Sequence, residues 1–207
     1  MASVGSAQVK GAFRYLALGD SYTIGESVAE NERWPNQLDE VLTKRWGKDI
    51  NTTVLATTGW RTDNLNNAIN IARMEEVYDL VSLLIGVNNQ YQGKSAEEYA
   101  SEFEGLLKTS VRLAKGKPEN VFVVSIPDYG FTPFGEKNRA EISKAIDQFN
   151  AINKKITDQY KIRYINITDI SREGLAKPEL VAADGLHPSG KMYALWVERI
   201  AAAISNK

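Results

Sequence analysis

His187 is the only histidine in the chain, and in "ADGLHPSG" it stands three residues after Asp184 and directly before Pro188. Acyl transfer through a serine needs a base that works near neutral pH, and imidazole is the usual choice. A carboxylate and an imidazole three residues apart can meet across one turn. The carboxylate then accepts Nδ1–H and leaves Nε2 free to face a hydroxyl. A plain surface histidine at a helix start is the competing reading, and for a histidine taken alone it is the commoner one.

A hydroxyl is offered by Ser21 in "YLALGDSYTIGE", where an apolar run opens into Gly19-Asp20-Ser21. Gly-Asp-Ser is also ordinary turn chemistry, so the triplet is weak by itself. It is not a nucleophile elbow, because Thr23 stands where that motif requires glycine. The reaction also needs donors for the charge that develops on the carbonyl oxygen. The backbone N–H groups of Ser21 and Gly59 and the side-chain amide of Asn88 could supply three. Singly, Gly59 reads equally as a turn glycine and Asn88 as a loop residue.

Other chemistries fit less well. "NNQYQGKS" ends like a phosphate loop, but Asn88 occupies the place of its first glycine, and no Gly-x-Gly-x-x-Gly occurs. With one histidine and no cysteine, a zinc site would have to be mostly carboxylate, and neither disulfides nor a cysteine nucleophile can form. No metal and no cofactor is expected. A net charge of −1 gives no basic face for nucleic acid or an anionic membrane, and no apolar run approaches a membrane span. The first residues lack the apolar core of a signal peptide, which leaves the compartment open, as it does the oligomeric state.

These side chains need elements to position them. Short apolar runs at 13–18, 52–56, 80–85, 120–126 and 162–167 read as strands, the third and fourth almost continuously apolar, as in a parallel sheet covered on both faces. Between them, helical stripes run from 34 to 46, from 65 to 74 with Asp63 as a cap, from a Ser95–Glu98 capping box to Gly116, from 137 to 160, and from 189 to 204. Alternating strands and helices predict a three-layer α/β/α sandwich around a five-stranded parallel sheet, with residues 1–12 a tail and 13–207 one domain. In such sheets the site forms beyond the carboxyl ends of the strands, where Ser21, Gly59 and Asn88 all fall.

Taken together, "GDSY", Gly59 in "TTGWRT", "GVNN" and "DGLHP" resemble four blocks of the SGNH hydrolases, the GDSL esterase/lipase family. The resemblance spans residues 13 to about 200. It implies a flavodoxin-like strand order, with Ser21 as nucleophile, Gly59 and Asn88 as oxyanion donors beside the Ser21 N–H, Asp184 as orienter and His187 as base. Asn89 departs from the family's usual aspartate, the second block lacks a frequent later glycine, and Tyr22 replaces leucine. The implied activity is hydrolysis of carboxylic esters, a small-molecule substrate, through an acyl-serine intermediate. Short rim loops without a lid helix add an expectation of short- to medium-chain acyl groups, and Asp20 is expected to brace the serine loop.

Two alternatives stay open. The family includes carbohydrate O-acetyl esterases, and Trp60, Tyr91, Tyr129, Phe131 and Phe134 lie in loops near the expected rim. They could stack on a sugar or serve as ordinary apolar packing. A non-catalytic flavodoxin-like binding module would use the hydroxyls after the first strand to cradle a phosphate.

Overall fold

Five consecutive buried residues, Leu80–Leu84, make a strand that must be covered on both faces, and it lies at the centre of the sheet. The computed structural model describes residues 12–75 and 77–204. Its strands are β1 (Phe13–Gly19), β2 (Ile50–Ala56), β3 (Leu80–Leu84), β4 (Val121–Val124) and β5 (Arg163–Ile165), all parallel, in the order β2-β1-β3-β4-β5. That is the flavodoxin-like order. The expected tail, 1–12, lies outside the described residues apart from Ala12.

The helices are α1 (Ser21–Ile24), α2 (Trp34–Trp46), α3 (Thr62–Ala72), α4 (Val87–Tyr91), α5 (Ala96–Leu113), α6 (Arg139–Gln159), α7 (Thr168–Ser171) and α8 (Gly190–Ala203). Helices α2 and α8 pack together, as do α5 with α3 and with α6. The reason lies in their stripes. Tyr99, Phe103, Leu106 and Leu107 bury one side of α5, and Met192, Tyr193, Trp196, Val197 and Ile200 bury one side of α8. Each such large side chain contributes about 1.5–3 kcal/mol on burial. Among the described residues, no helix is long and apolar enough to cross a membrane.

Helix α3 begins three residues earlier than its apolar stripe predicts, and Asp63 is not its cap. The capping is shared between a distant and a local residue: Asn89 Oδ1 accepts the Thr62 N–H at 3.1 Å, and Asn64 Oδ1, within α3, accepts that of Arg61 at 3.1 Å. Asp63 instead pairs with Arg61 at 2.7 Å inside the first turn. At α5 half of the expected box forms. Ser95 Oγ accepts the Glu98 N–H at 3.1 Å, while the Glu98 carboxylate turns to Lys94 at 2.7 Å.

Candidate active site

Register brings the site loops together. Gly19 at the end of β1 is level with Ala56 of β2 on one side and Leu84 of β3 on the other. The segments that follow, carrying Ser21, Gly59 and Asn88, therefore emerge side by side. Chain crossovers leave β1 in opposite directions here, which opens a crevice at the sheet's edge.

The serine is delivered by a single helical turn. Asp20 is the N-cap of α1, its Oδ1 accepting the Tyr22 N–H at 3.1 Å, so it braces this loop as expected. Ser21 is the first residue of the turn, and the first N–H groups of a helix have no partner within it. Asp20 is fully buried, and burial, outweighing the backbone hydrogen bonds, pushes its carboxyl up to about 7.

Asp184 and His187 meet as their spacing predicts. Residues 181–188 form a small hairpin closed by the bridge of Val181 with Pro188 and by Ala182 N–H to His187 O at 2.8 Å. At its tip Asp184 Oδ1 accepts the N–H groups of Leu186 at 2.9 Å and His187 at 3.0 Å. Its Oδ2 lies 2.6 Å from His187 Nδ1 and accepts the Ser27 hydroxyl, also at 2.6 Å. Desolvation works against the charge, but hydrogen bonds from Ser27, His187 and the backbone hold the Asp184 carboxyl well below the usual range. It stays ionised. The tautomer with hydrogen on Nδ1 is then favoured, and Nε2 is left as the acceptor.

Gly59 is the third residue of a turn in which Trp60 N–H bonds Thr57 O at 3.2 Å, and its φ is +83°. That angle is what calls for glycine. A Cβ here would meet no other atom of the described residues within 4 Å. Gly86, by contrast, needs both freedoms: φ is +131° and a Cβ would lie 2.6 Å from the Tyr99 ring. It starts α4, which presents Asn88. One N–H of the Asn88 amide bonds Trp60 O at 2.9 Å, which orients the other. Asn89, the family departure, is fully buried; it accepts from Thr62 N and donates to Thr62 Oγ1 at 2.6 Å. An amide can do both, whereas an ionised carboxylate could only accept.

Ser21, Gly59, Asn88 and His187 line one cleft of about 290 Å³, together with Tyr22, Thr58, Val87, Tyr91, Tyr129, Phe134 and Leu186. Ser21 and His187 share this cleft without a mutual hydrogen bond among the described residues. Catalytic hydrogen bonds are often long before substrate binds. Tyr22 packs its ring 5.3 Å from that of His187. No three histidine, aspartate or glutamate side chains gather as a metal site among the described residues.

Of the five rim aromatics, three face the cleft. Tyr91, Tyr129 and Phe134 form a triangle with ring centroids 6.1–6.3 Å apart, Tyr91 being 59% and Phe134 53% exposed. Trp60 packs against the core instead, and Phe131 lies under Arg139 and Arg172 at 5.3 and 6.0 Å. Sequence reading missed Ser27, and Glu26, which accepts a short hydrogen bond from Thr58 Oγ1. Ser27 carries no motif; its role comes from a φ of +66°, unusual for serine and invisible in the string of letters.

The model of the GDSL-like Lipase/Acylhydrolase family matches residues 17–195. An arylesterase of Vibrio mimicus is 25% identical over 191 residues, covering 88% of this chain and 84% of that protein. Among solved structures, the lipase Lip_vut3 from a goat rumen metagenome superposes with a TM-score of 0.76 at 19% identity, covering 93% of this chain and 97% of the other. An acetylxylan esterase of Geobacillus stearothermophilus gives 0.72 at 18% identity, with 94% and 95% covered. At these identities the structural likeness speaks to the fold.

Proposed function

The chain belongs to the GDSL-like Lipase/Acylhydrolase family, and from that premise we propose that it is a serine esterase acting on short- to medium-chain carboxylic esters. The observation that carries the reading is one cleft lined by both Ser21 and His187, with Asp184 2.6 Å behind the imidazole. Ser21 Oγ attacks the ester carbon as His187 Nε2 takes its proton. The oxyanion is met by the N–H groups of Ser21 and Gly59 and the free N–H of Asn88. The imidazolium returns the proton to the departing alkoxide, and water then repeats the sequence on the acyl-serine. Labelling of Ser21 by a fluorophosphonate, mapped by mass spectrometry, tests the reading; intact protein after prolonged exposure would contradict it.

Asn88→Ala is expected to lower kcat by roughly a hundredfold or more with little change in KM, the pattern for loss of one oxyanion donor. The variant also removes the bond to Trp60 O, so its thermal unfolding is recorded alongside. A large KM rise at unchanged kcat would make Asn88 a binding residue.

The cleft also sets acyl length. Its rim loop after β4 is built as a fixed wall: buried Asp128 pairs with Arg172 at 2.9 Å, and Arg172 reaches Asp147 at 2.6 Å. Among the described residues, none of the longer helices lines the cleft as a cover. An open cleft of this size buries only a few methylenes, at about 0.8 kcal/mol each. Acetyl to hexanoyl p-nitrophenyl esters are expected to be preferred, with no jump in rate when substrate forms micelles. A preference for palmitoyl esters would contradict this.

A second reading is carbohydrate O-acetyl hydrolysis, favoured by the exposed rings of Tyr91 and Phe134 on the cleft wall. Acetylated xylan assayed beside the p-nitrophenyl series separates the two. A binding module, the third possibility, would leave the Asp184–His187 pair without work.

A further inference from the structure

We propose that Ser27 is a positioning residue of this site: its hydroxyl holds Asp184, and through it His187, in place relative to Ser21. The proposal rests on the serine-esterase reading above. Asp184 sits on the hairpin before α8, more than 150 residues along the chain from the nucleophile. Ser27 bridges that separation. It lies six residues after Ser21 on a segment hung from α1, since the N–H groups of both Gly25 and Glu26 bond the Ser21 carbonyl at 3.1 and 3.0 Å.

Three observations converge. First, the Ser27 hydroxyl donates to Oδ2, the same oxygen that faces His187 Nδ1, and with the two backbone donors on Oδ1 it completes four hydrogen bonds to the carboxylate. A carboxylate has about four acceptor sites, so this one is filled. Second, Ser27 adopts φ +66°, a conformation that serine rarely takes, and in it the hydroxyl reaches Asp184. Third, its neighbour Glu26 accepts from Thr58 in the turn that carries Gly59. Two consecutive residues thus tie the nucleophile turn to the loops on either side of it. Ser27 lies outside the cleft lining, so it acts on the reaction only through Asp184.

The test uses Ser27→Gly, which removes the hydroxyl while suiting the left-handed backbone, so the fold is kept and thermal stability holds or rises. Ser27 is exposed, and water can partly replace it. The expected fall in kcat is therefore about tenfold, the low end for a lost hydrogen bond to a charged group. The second readout is the acid limb of the kcat/KM profile. Without Ser27, more of the charge on Oδ2 is directed at the imidazole, which stabilises its protonated form. The limb should move to higher pH.

Ionisable groups close to Asp184 or to the Tyr22 ring that packs on His187 include Asp20 of the nucleophile turn, Glu26, Asp128 and Tyr129 after β4, and Tyr193 of α8. All are retained in the variant, so their contribution to the profile is common to both proteins. Ser27→Asn, which accepts the same backbone and offers a side-chain N–H, should restore part of the rate. Wild-type kcat in Ser27→Gly, or a lowered kcat with an unmoved acid limb, would overturn the assignment. Ser21→Ala run in parallel keeps the two ideas apart. A dead Ser21→Ala beside an unimpaired Ser27→Gly removes only Ser27, whereas an active Ser21→Ala removes the esterase reading and this proposal with it.

Discussion

Ser21→Ala is expected to lose turnover by about a millionfold while the protein stays folded. Triad knockouts act on a unit, so deleting the nucleophile alone costs nearly as much as deleting the whole constellation. Little in the fold depends on the hydroxyl. The cap of α1 is the Asp20 carboxyl on Tyr22 N–H, and the turn closes through the Ser21 carbonyl, which takes Gly25 and Glu26. The Oγ has no hydrogen-bond partner among the described residues, so alanine strands no buried group. No substitute nucleophile stands ready: the chain has no cysteine, and Thr58, the other aliphatic hydroxyl on the cleft wall, already donates to Glu26. Hydrolysis of p-nitrophenyl acetate, with circular dichroism and thermal melting on the same sample, decides it. A variant that kept a tenth of the wild-type rate at an unchanged melting temperature would show that Ser21 is not the nucleophile.

Where local chemistry dictates local structure, the sequence could be read. The stripe from Trp34 to Trp46 became α2 with those very ends, because Pro35 suits a first turn and Gly47, at φ +60°, closes the last. Asp184 and His187 could be paired on paper, since three residues of chain and the donors of a tight turn bring them together wherever the hairpin lies. The strands shared this advantage, the buried runs of β3 and β4 being apolar at every position except Ser82. What escaped depends on partners far along the chain. Helix α3 starts at Thr62 because Asn89 caps it from α4, and no pattern near residue 62 encodes that. The one-turn helices α1 and α4 are too short to show a period. Phe131 looked like Phe134 in the same loop, yet it lies half-buried beside the guanidinium groups of Arg139 and Arg172, the latter paired with Asp128, while Phe134 lines the cleft.

Asp184→Asn should lower kcat by about 10⁴-fold with KM nearly unchanged, a larger loss than the conservative volume suggests. The hydrogen bonds at the site explain why. The side-chain oxygen that accepts from Leu186 and His187 N–H must remain an oxygen, or two backbone donors lose their partner and the hairpin tip opens. Asparagine therefore keeps its carbonyl there and places its NH₂ where Oδ2 was, 2.6 Å from His187 Nδ1. Two N–H groups cannot face each other. The imidazole must carry its hydrogen on Nε2 and accept at Nδ1, which points a proton rather than a lone pair into the cleft. The base is lost although every atom keeps its position. The charge that stabilises the imidazolium in the transition state goes with it, since Asp184 is ionised throughout the working range. Ser27 adapts, because a hydroxyl that donated to Oδ2 can rotate and accept from the new amide. The fold should thus survive, with a melting temperature close to that of the parent. Fluorophosphonate labelling at Ser21 should slow in proportion to kcat, as it too draws on the base. An Asp184→Asn protein within tenfold of wild type, in turnover and labelling alike, would mean that His187 takes its orientation from something other than this carboxylate.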